Sequence, residues 1–563
     1  MTSAVGRPVP ARPVAWALLG LGVLVRVVGY FHRSSLWGDE AMLGLNLGAR
    51  SFGQLTRPLD YAQVAPIPFL WGERTLAAIG GVNEYTLRLI PLLAGIVLLF
   101  ALFRLAQRRL EPAEALVALA LAATAFPLIR YSDEVKPYSI DAFVTIAVIG
   151  LALDTLRELD AAERWRRLVM AGALAVVLSI PAIFVCAGVS LGLSIECLRR
   201  RPRGWLVRLG TATAIWVGLA GLTYLIWYRA AAGGSYMRQY WEATFLRPGT
   251  PAWGHRLGLG AQEAVCSLNC WRGLLNLAPL YGLLVVLGLW VLFRRQGPAF
   301  AALLILPLLL AFAASFAGRY PIATRLLLYA APLVVLLVAV GLVASATWFA
   351  GRLRWLQPRW VLAIFLLPSV VLTTSLAIDP PQETGFSKEE IRSLAAQVEG
   401  RSAGEPVYVY HRATPAWVFY TTDWRAPDTA RLGWVSRVAG PDGLGFVNGR
   451  SRGPRRAEDG DSLSRDYRGR LELLGTYSGS QGRQWQAYVP PHPDPGWAEA
   501  EAERMRRVGK SGLWIVLTDY RHPPQDDGAA LLDAVKKKGG LPTLELRASE
   551  AAAYRIQFDT LSH

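Results

Sequence analysis

Long apolar blocks separated by short polar segments fill the first 378 residues of the 563-residue chain. A helix rises 1.5 Å per residue, so about 20 apolar residues cross the hydrocarbon core of a bilayer. Eleven such blocks lie near residues 14–31, 86–103, 113–129, 138–156, 168–182, 184–198, 205–227, 277–293, 298–317, 325–347 and 360–378. The pattern therefore predicts a polytopic α-helical membrane protein with about 11 transmembrane helices.

The least regular part of the pattern is residues 168–198, where Pro181 interrupts an apolar stretch. Two short spans that turn at Pro181 keep all later arginine clusters on one side of the membrane. One long helix would invert every later span and move Arg294 and Arg295 to the opposite side. We therefore predict two spans here.

Hydropathy falls after Asp379-Pro380-Pro381, which marks a domain boundary. In the tail, residues 407–410 and 513–517 are typical of buried strands, and further strands are expected in 541–558. Helical patterns cover 497–508 and 528–538. The alternation predicts a membrane domain over 1–378 and a soluble α/β domain over 379–563.

The net charge of +17 follows mainly from arginines in short loops between the spans. These clusters are Arg104, Arg108 and Arg109; Arg157, Arg164, Arg166 and Arg167; Arg199, Arg200, Arg201 and Arg203; Arg294 and Arg295; Arg352, Arg354 and Arg359. Short basic loops favour the cytoplasmic side, so the N-terminus is expected there, after an uncleaved signal-anchor. An odd number of spans then places the C-terminal domain outside the cytoplasm, and nucleic acid is not expected as a partner.

Two adjacent carboxylates, Asp39 and Glu40, follow the first span beside Trp37. Carboxylates are expensive to keep at a lipid boundary unless they carry out chemistry or bind a ligand. An enzyme acting on a membrane-borne substrate needs a base at this position. The pair is therefore the leading candidate for catalysis, with Asp39 as the base.

A second polar group opens the fourth span, on the same expected face of the membrane. It contains Arg130, Asp133, Glu134, Lys136, Tyr138 and, one helical turn after Pro137, Asp141. Arg319 and Arg325 flank a short outer turn and add two more cations. Together these residues suit a phosphorylated lipid substrate, because arginine pairs with phosphate in a two-pronged fashion. The alternatives are interfacial carboxylates neutralised by Arg130 and Lys136, and a snorkelling loop at Arg319 and Arg325.

Metal and disulfide chemistry have little support in the sequence. The six histidines lack metal-site spacing, although Glu40, Asp133 and Glu134 could hold a divalent cation through oxygen. A disulfide between Cys266 and Cys270 is permitted outside the cytoplasm and is not required.

Four stretches resemble the GT-C glycosyltransferase superfamily, in particular its bacterial protein O-mannosyltransferase and aminoarabinose transferase group. They are Trp37-Gly-Asp-Glu-Ala41, Pro66-Ile-Pro-Phe-Leu70, Asn83-Glu-Tyr-Thr-Leu-Arg-Leu-Ile-Pro91 and Tyr131-Ser-Asp-Glu-Val-Lys-Pro-Tyr138. The resemblance is close over roughly the first 150 residues and holds only by pattern beyond them. One departure is Ala65-Pro-Ile-Pro68, where many relatives have His-Pro-Pro.

The resemblance implies a polyprenyl-phosphate-linked sugar donor and an inverting transfer on the outer face of a bacterial plasma membrane. It gives Asp39 the role of general base and Glu40 a supporting role or a contact with sugar or metal. The expected substrate-binding residues are Arg130, Asp133, Glu134, Lys136, Tyr138, Arg319 and Arg325. The expected acceptor is a glycan, lipid or protein, and the expected enzyme is a hexosyl- or pentosyltransferase of cell-envelope glycan biosynthesis. A flippase for lipid-linked sugars is the main rival, and a scaffold with degenerate catalytic loops is the second.

Overall fold

The computed structural model describes residues 11–229, 241–249, 253–265, 278–352, 389–402, 405–410, 412–427, 496–509, 512–518 and 527–558. Isolated positions between 357 and 371, position 432 and four short strands between 446 and 474 are described as well. Cys266, Cys270 and most of the predicted span 360–378 lie outside these residues.

The membrane part consists of helices that follow the predicted apolar blocks. They are α1 (Ala11–His32), α4 (Glu84–Arg109), α5 (Pro112–Thr124), α6 (Phe126–Arg130), α7 (Tyr138–Arg157), α8 (Ala162–Leu178), α9 (Ala182–Arg200), α10 (Trp205–Thr223), α12 (Ala278–Gln296), α13 (Pro298–Phe316), α14 (Thr324–Leu327) and α15 (Ala331–Arg352). Within the described residues eight segments are long and apolar enough to span a membrane, or nine if the bent pair α5–α6 is one span. The chain is therefore an integral membrane protein, as predicted.

The apolar stretch 168–198, which Pro181 interrupts, lies in two helices, α8 and α9, separated at residues 179–181. Helix α8 has 17 residues, which makes it shorter than the eight helices above. The predicted break at Pro181 is confirmed, because α8 ends at Leu178 and α9 begins at Ala182. Helix α8 is not among the eight candidate spans, so its crossing of the membrane stays a prediction.

Helix α15 lies at the centre of the bundle, and most of its residues are buried. It packs against α12 through two glycines that allow the backbones to touch. A Cβ atom at Gly288 would lie 1.9 Å from the carbonyl oxygen of Leu337, and one at Gly341 would lie 2.1 Å from that of Leu284. Small residues at such crossings replace the hydrophobic driving force that lipid does not supply.

A helix between α10 and α12, α11, covers Trp253–Val265. The loop between α1 and α4 carries two helices, α2 (Gly38–Ala49) and α3 (Ile67–Gly80). Helix α3 begins within the Pro66-Ile-Pro-Phe-Leu70 stretch that carries part of the family resemblance. Helix α2 was not predicted, and it places Asp39 and Glu40 in its first turn, where the helix dipole favours carboxylates.

The C-terminal region is a mixed sheet with helices, which agrees with the predicted α/β class. Its described helices are α16 (Ile391–Arg401), α17 (Thr414–Thr421), α18 (Trp497–Val508) and α19 (Asp527–Lys537). Its strands are β1 (Val407–Val409), β4 (Leu463–Arg465), β5 (Leu471–Leu474), β6 (Leu513–Thr518), β7 (Gly540–Ala548) and β8 (Ala551–Phe558), in the order β4-β5-β1-β6-β8-β7. Strand β1 is parallel to β5 and β6, and the other pairs are antiparallel. A separate hairpin is formed by β2 (Phe446–Val447) and β3 (Arg450–Ser451). The boundary at 378/379 lies outside the described residues and stays a prediction.

The C-terminal region rests directly on helix α2. Buried residues of α2 and α3 share one hydrophobic core with α16, α17 and part of the sheet. A Cβ atom at Gly44 would lie 2.9 Å from the ring of Phe419, and one at Gly48 would lie 2.3 Å from Trp424. The helix that carries the acidic pair is thus held between the membrane bundle and the C-terminal region.

Candidate active site

A cavity of about 170 Å³ lies beside the first turn of α2. Its lining includes Asp39, Lys136, Tyr138 and Arg325, four of the residues predicted from the sequence. They come from three separate parts of the chain: α2, the entry to α7, which carries Lys136 and Tyr138, and α14. The fold therefore brings together the two polar groups that the sequence placed on one face of the membrane.

Asp39 is surrounded by hydrogen-bond donors and positive charge. Its Oδ1 atom lies 3.0 Å from Lys136 Nζ and accepts a 3.0 Å hydrogen bond from Gln63 Nε2. Its Oδ2 atom lies 3.2 Å from a terminal guanidinium nitrogen of Arg325. Burial raises the pKa of Asp39, but the charges of Lys136 and Arg325 and the Gln63 hydrogen bond outweigh this effect and lower the pKa to about 2. Asp39 is therefore an ionised carboxylate at neutral pH.

Gln63 links the base candidate to its main counter-charge. Lys136 Nζ donates a 2.7 Å hydrogen bond to Gln63 Oε1, while Gln63 Nε2 donates to Asp39. The residue pattern did not indicate this role, because an amide in a loop has no distinctive spacing. Gln63 lies two residues before Ala65, where this chain begins to depart from the His-Pro-Pro of many relatives.

Glu40 points away from the cavity and is fully buried. It forms a two-pronged pair with Arg88 of α4, with Nε–Oε1 at 3.0 Å and NH2–Oε2 at 2.8 Å. The backbone amide of Val135 also donates a 2.9 Å hydrogen bond to Oε1. Consecutive helix residues project about 100° apart, so Glu40 does not line the cavity that Asp39 faces. Its contact with sugar or metal has no support in this geometry and stays a prediction. A supporting role remains.

Arg88 is the main residue that sequence reasoning missed. It is 1% exposed and also donates to the backbone carbonyls of Ser34 and Ser35, at 2.8 and 3.2 Å. Arg88 lies near the start of a long apolar helix, and a charged residue at such a position needs a buried partner. That position was the indication of its role available in the sequence. Arg88 connects the start of α4 to the segment that leads into α2.

The second polar group divides between the cavity and the protein behind it. Lys136 and Tyr138 line the cavity, whereas Glu134 is buried and pairs with Arg130 at 2.9 Å. Asp133 lies 3.9 Å from Arg88. The cavity lining therefore does not include Arg130, Asp133 or Glu134. Arg130 and Glu134 neutralise each other and Asp133 lies near Arg88, so their contact with substrate stays a prediction.

The two arginines of the outer turn also differ. Arg325 lines the cavity, and its guanidinium carbon lies 4.8 Å from the ring centroid of Trp241, within cation–π range. Arg319 is exposed and does not line the cavity. Substrate contact by Arg319 therefore stays a prediction.

Asp141 adds a second carboxylate to the cavity. It is 6% exposed, and its Oδ1 atom has no hydrogen-bond partner among the described residues. The sequence pattern included Asp141 in the polar group, but only the fold shows that it faces the same space as Asp39. A free buried acceptor of this kind suits a hydroxyl group of a substrate.

No cluster of three or more histidine, cysteine, aspartate or glutamate side chains arranged for a metal ion occurs in the described part of the chain. Two of the carboxylates considered as cation ligands, Glu40 and Glu134, are paired with Arg88 and Arg130 instead. Their donor set does not fit a divalent cation.

The C-terminal region contributes hydrogen bonds to the segment between α1 and α2. Glu390 accepts from the Ser35 amide at 3.1 Å and from its hydroxyl at 2.7 Å. The Leu36 amide donates to the Tyr420 hydroxyl at 2.7 Å, and that hydroxyl donates to Glu84 at 2.9 Å. Together with the bonds from Arg88, these contacts hold the approach to α2.

A family model matches part of the chain, and solved structures of similar fold cover nearly all of it. Residues 64–227 match the family model described as dolichyl-phosphate-mannose-protein mannosyltransferase. The structure is similar to that of ArnT from Cupriavidus metallidurans in the apo state, with a TM-score of 0.50 at 13% identity over 96% of this chain and 98% of that one. ArnT bound to undecaprenyl phosphate gives the same TM-score and identity over 96% and 97%. No curated protein matches the sequence. These findings confirm the expected GT-C-type fold.

Proposed function

We propose that the protein is a membrane glycosyltransferase that moves a sugar from a polyprenyl-phosphate-linked donor to a glycan, lipid or protein acceptor. The observation that carries the proposal is an ionised Asp39 between Lys136 and Arg325 in the wall of one cavity. The partial family match supports the reaction class. The undecaprenyl phosphate bound to ArnT, which has the same fold, supports the class of donor.

Asp39 acts as the general base in this proposal. It takes the proton of the acceptor hydroxyl while the hydroxyl oxygen attacks the anomeric carbon. The bond from that carbon to the phosphate oxygen breaks, and polyprenyl phosphate leaves with the electron pair. Attack from the side opposite to the phosphate inverts the anomeric configuration. Glu40 and Arg88 orient α2, so Glu40 supports the base without touching substrate.

Lys136 and Arg325 are the cations for the donor phosphate. In the structure Lys136 and Arg325 are paired with Asp39, at 3.0 and 3.2 Å. A phosphate that binds the same two side chains competes for their charge. Because burial alone raises the pKa of Asp39, weakening these pairs makes the carboxylate a stronger base when the donor is present. Tyr138 and Asp141 are placed to contact the sugar or the acceptor.

The outer membrane face is the proposed location of the reaction. The C-terminal region packs on α2, so it lies on the same side as the cavity. The arginine-rich loops lie at the other ends of the helices, and the positive-inside rule assigns them to the cytoplasm. The N-terminus would then be cytoplasmic, and the C-terminal region extracytoplasmic.

Release of free polyprenyl phosphate from lipid-linked sugars tests the proposal. Purified parent protein should release it from at least one donor, and Asp39→Asn should not, although it folds and binds the donor. Asp160→Asn is the matched control, because Asp160 is an exposed aspartate on the opposite face. The anomeric configuration of the product, read by NMR, checks inversion. Donor binding without release by the parent, combined with lipid transfer between leaflets, would favour the flippase instead.

A further inference from the structure

A second and larger cavity lies at the end of the bundle opposite to Asp39. It has a volume of about 720 Å³ and opens between the start of α1, the end of α4 and the start of α5. Its residues repeat at helical spacing on both long helices: Arg12 and Trp16 on α1, Phe100, Arg104 and Gln107 on α4. One continuous face of each helix therefore lines it. We refer to this cavity as the basal groove.

The walls of the basal groove are apolar and its rim is basic. Trp16 is 68% exposed and Phe100 is 43% exposed, so both rings are open to the space between the helices. Indole rings are enriched at membrane–water interfaces, where the ring lies among headgroups. Arg12 and Arg104 lie within one helical turn of these rings. The groove thus offers an apolar wall and two cations at the same membrane depth.

Neither of these two arginines forms an ion pair within the described residues, unlike arginines close by. Arg109 pairs with Asp154, and Arg295 pairs with Glu111 and Glu114 at 3.0 and 2.8 Å. Residues 1–10, which precede Arg12, contain no carboxylate that could neutralise the groove. Charge complementarity therefore favours an anionic ligand at this groove.

We propose that the basal groove binds an anionic phospholipid of the leaflet opposite to the Asp39 cavity. Arg12 and Arg104 hold the headgroup phosphate, and Gln107 donates a hydrogen bond to the headgroup. The acyl chains lie against Trp16 and Phe100. Basic pockets between transmembrane helices bind anionic headgroups in this way, and arginine matches phosphate through paired N–H groups.

The bound lipid would join α1 to its neighbours. Helix α1 packs mainly on α4, α5 and the short helices near them, and much of its surface is open. It leads through five residues into α2, the helix that carries Asp39. A lipid that bridges α1 and α4 at the basal end therefore stabilises the bundle. This site does not depend on the proposed transferase activity.

Lipid retention by the full-length protein in native mass spectrometry tests the site. The probes are phosphatidylglycerol and phosphatidylcholine with identical acyl chains. The parent should retain phosphatidylglycerol preferentially, and Arg12→Ala/Arg104→Ala should weaken its apparent Kd by about tenfold or more. Arg203→Ala/Arg352→Ala is the matched control, since both arginines are exposed at the same end of the bundle and lie outside the groove. A melting curve with each lipid provides a second readout, in which phosphatidylglycerol raises the Tm of the parent and control only.

Four outcomes would overturn the assignment. Equal retention of phosphatidylglycerol and phosphatidylcholine by the parent would show that headgroup charge does not matter. An equal loss of phosphatidylglycerol affinity in the control variant would show nonspecific attraction to basic residues. Stronger retention of polyprenyl phosphate, abolished by the groove variant, would assign the groove to the carrier lipid. Binding of phosphatidylglycerol only after deletion of residues 2–10 would show that the N-terminal segment is the occupant.

Discussion

Replacing Arg88 with alanine should destabilise the protein more than the loss of any surface ion pair. Arg88 is 1% exposed, its partner Glu40 is 0% exposed, and the two are joined by bonds of 2.8 and 3.0 Å. Removing one partner of a buried pair leaves an uncompensated charge and costs about 3–5 kcal/mol. The carbonyls of Ser34 and Ser35 lose their donors too, which adds roughly 1 kcal/mol at most for each.

Thermal unfolding in detergent at a fixed scan rate measures this effect. The expected cost corresponds to a fall in Tm on the order of 5–10 °C for Arg88→Ala. Arg33→Ala is the matched control, because Arg33 is 42% exposed and its 3.3 Å pair with Glu84 is worth only about 1 kcal/mol or less. Release of polyprenyl phosphate should also fall in Arg88→Ala, since α2 loses the contact that orients Asp39.

A double substitution distinguishes charge burial from simple loss of packing. Glu40→Gln/Arg88→Met removes both charges and keeps an acceptor for the Val135 amide, so it should recover at least half of the lost Tm. The reasoning would be refuted if Arg88→Ala melted like Arg33→Ala. It would also be refuted if the double variant were less stable than Arg88→Ala alone.

Three further predictions test the cavity, the contact with the C-terminal region and the bundle. Lys136→Met should raise the pKa of Asp39 from about 2, so the acid limb of kcat/KM should move to higher pH; an unchanged limb would exclude Asp39 as the base. Tyr420→Phe should lower stability by about 1–3 kcal/mol, read by thermal unfolding, because it leaves a buried amide and a carboxylate without their shared hydroxyl. Gly288→Ala should lower the Tm, because its Cβ would lie 1.9 Å from a backbone oxygen, whereas Gly282→Ala on the same helix, with open space, should not. Equal melting of the two glycine variants would contradict the close helix contact.

The neighbouring acids of the candidate site illustrate how position in a helix separates function. Asp39 faces the cavity and Glu40 faces Arg88, although the two residues are adjacent in sequence. An acidic pair at a membrane surface therefore does not imply two catalytic carboxylates. In the proposed function, one carboxylate contacts substrate and the other orients the helix that carries the first.

Local pattern alone determined the class of fold, the positions of most helices and strands, and the two polar groups that form the cavity. It did so because a bilayer sets the length of a span and because side chains repeat with the period of each element. The tertiary structure decided which members of each group meet. Gln63, Arg88 and Tyr420 reach the site from separate elements, and Arg325 reaches it while Arg319 does not. Such pairings depend on packing between distant segments and on the direction of each side chain, which hydropathy and charge do not encode.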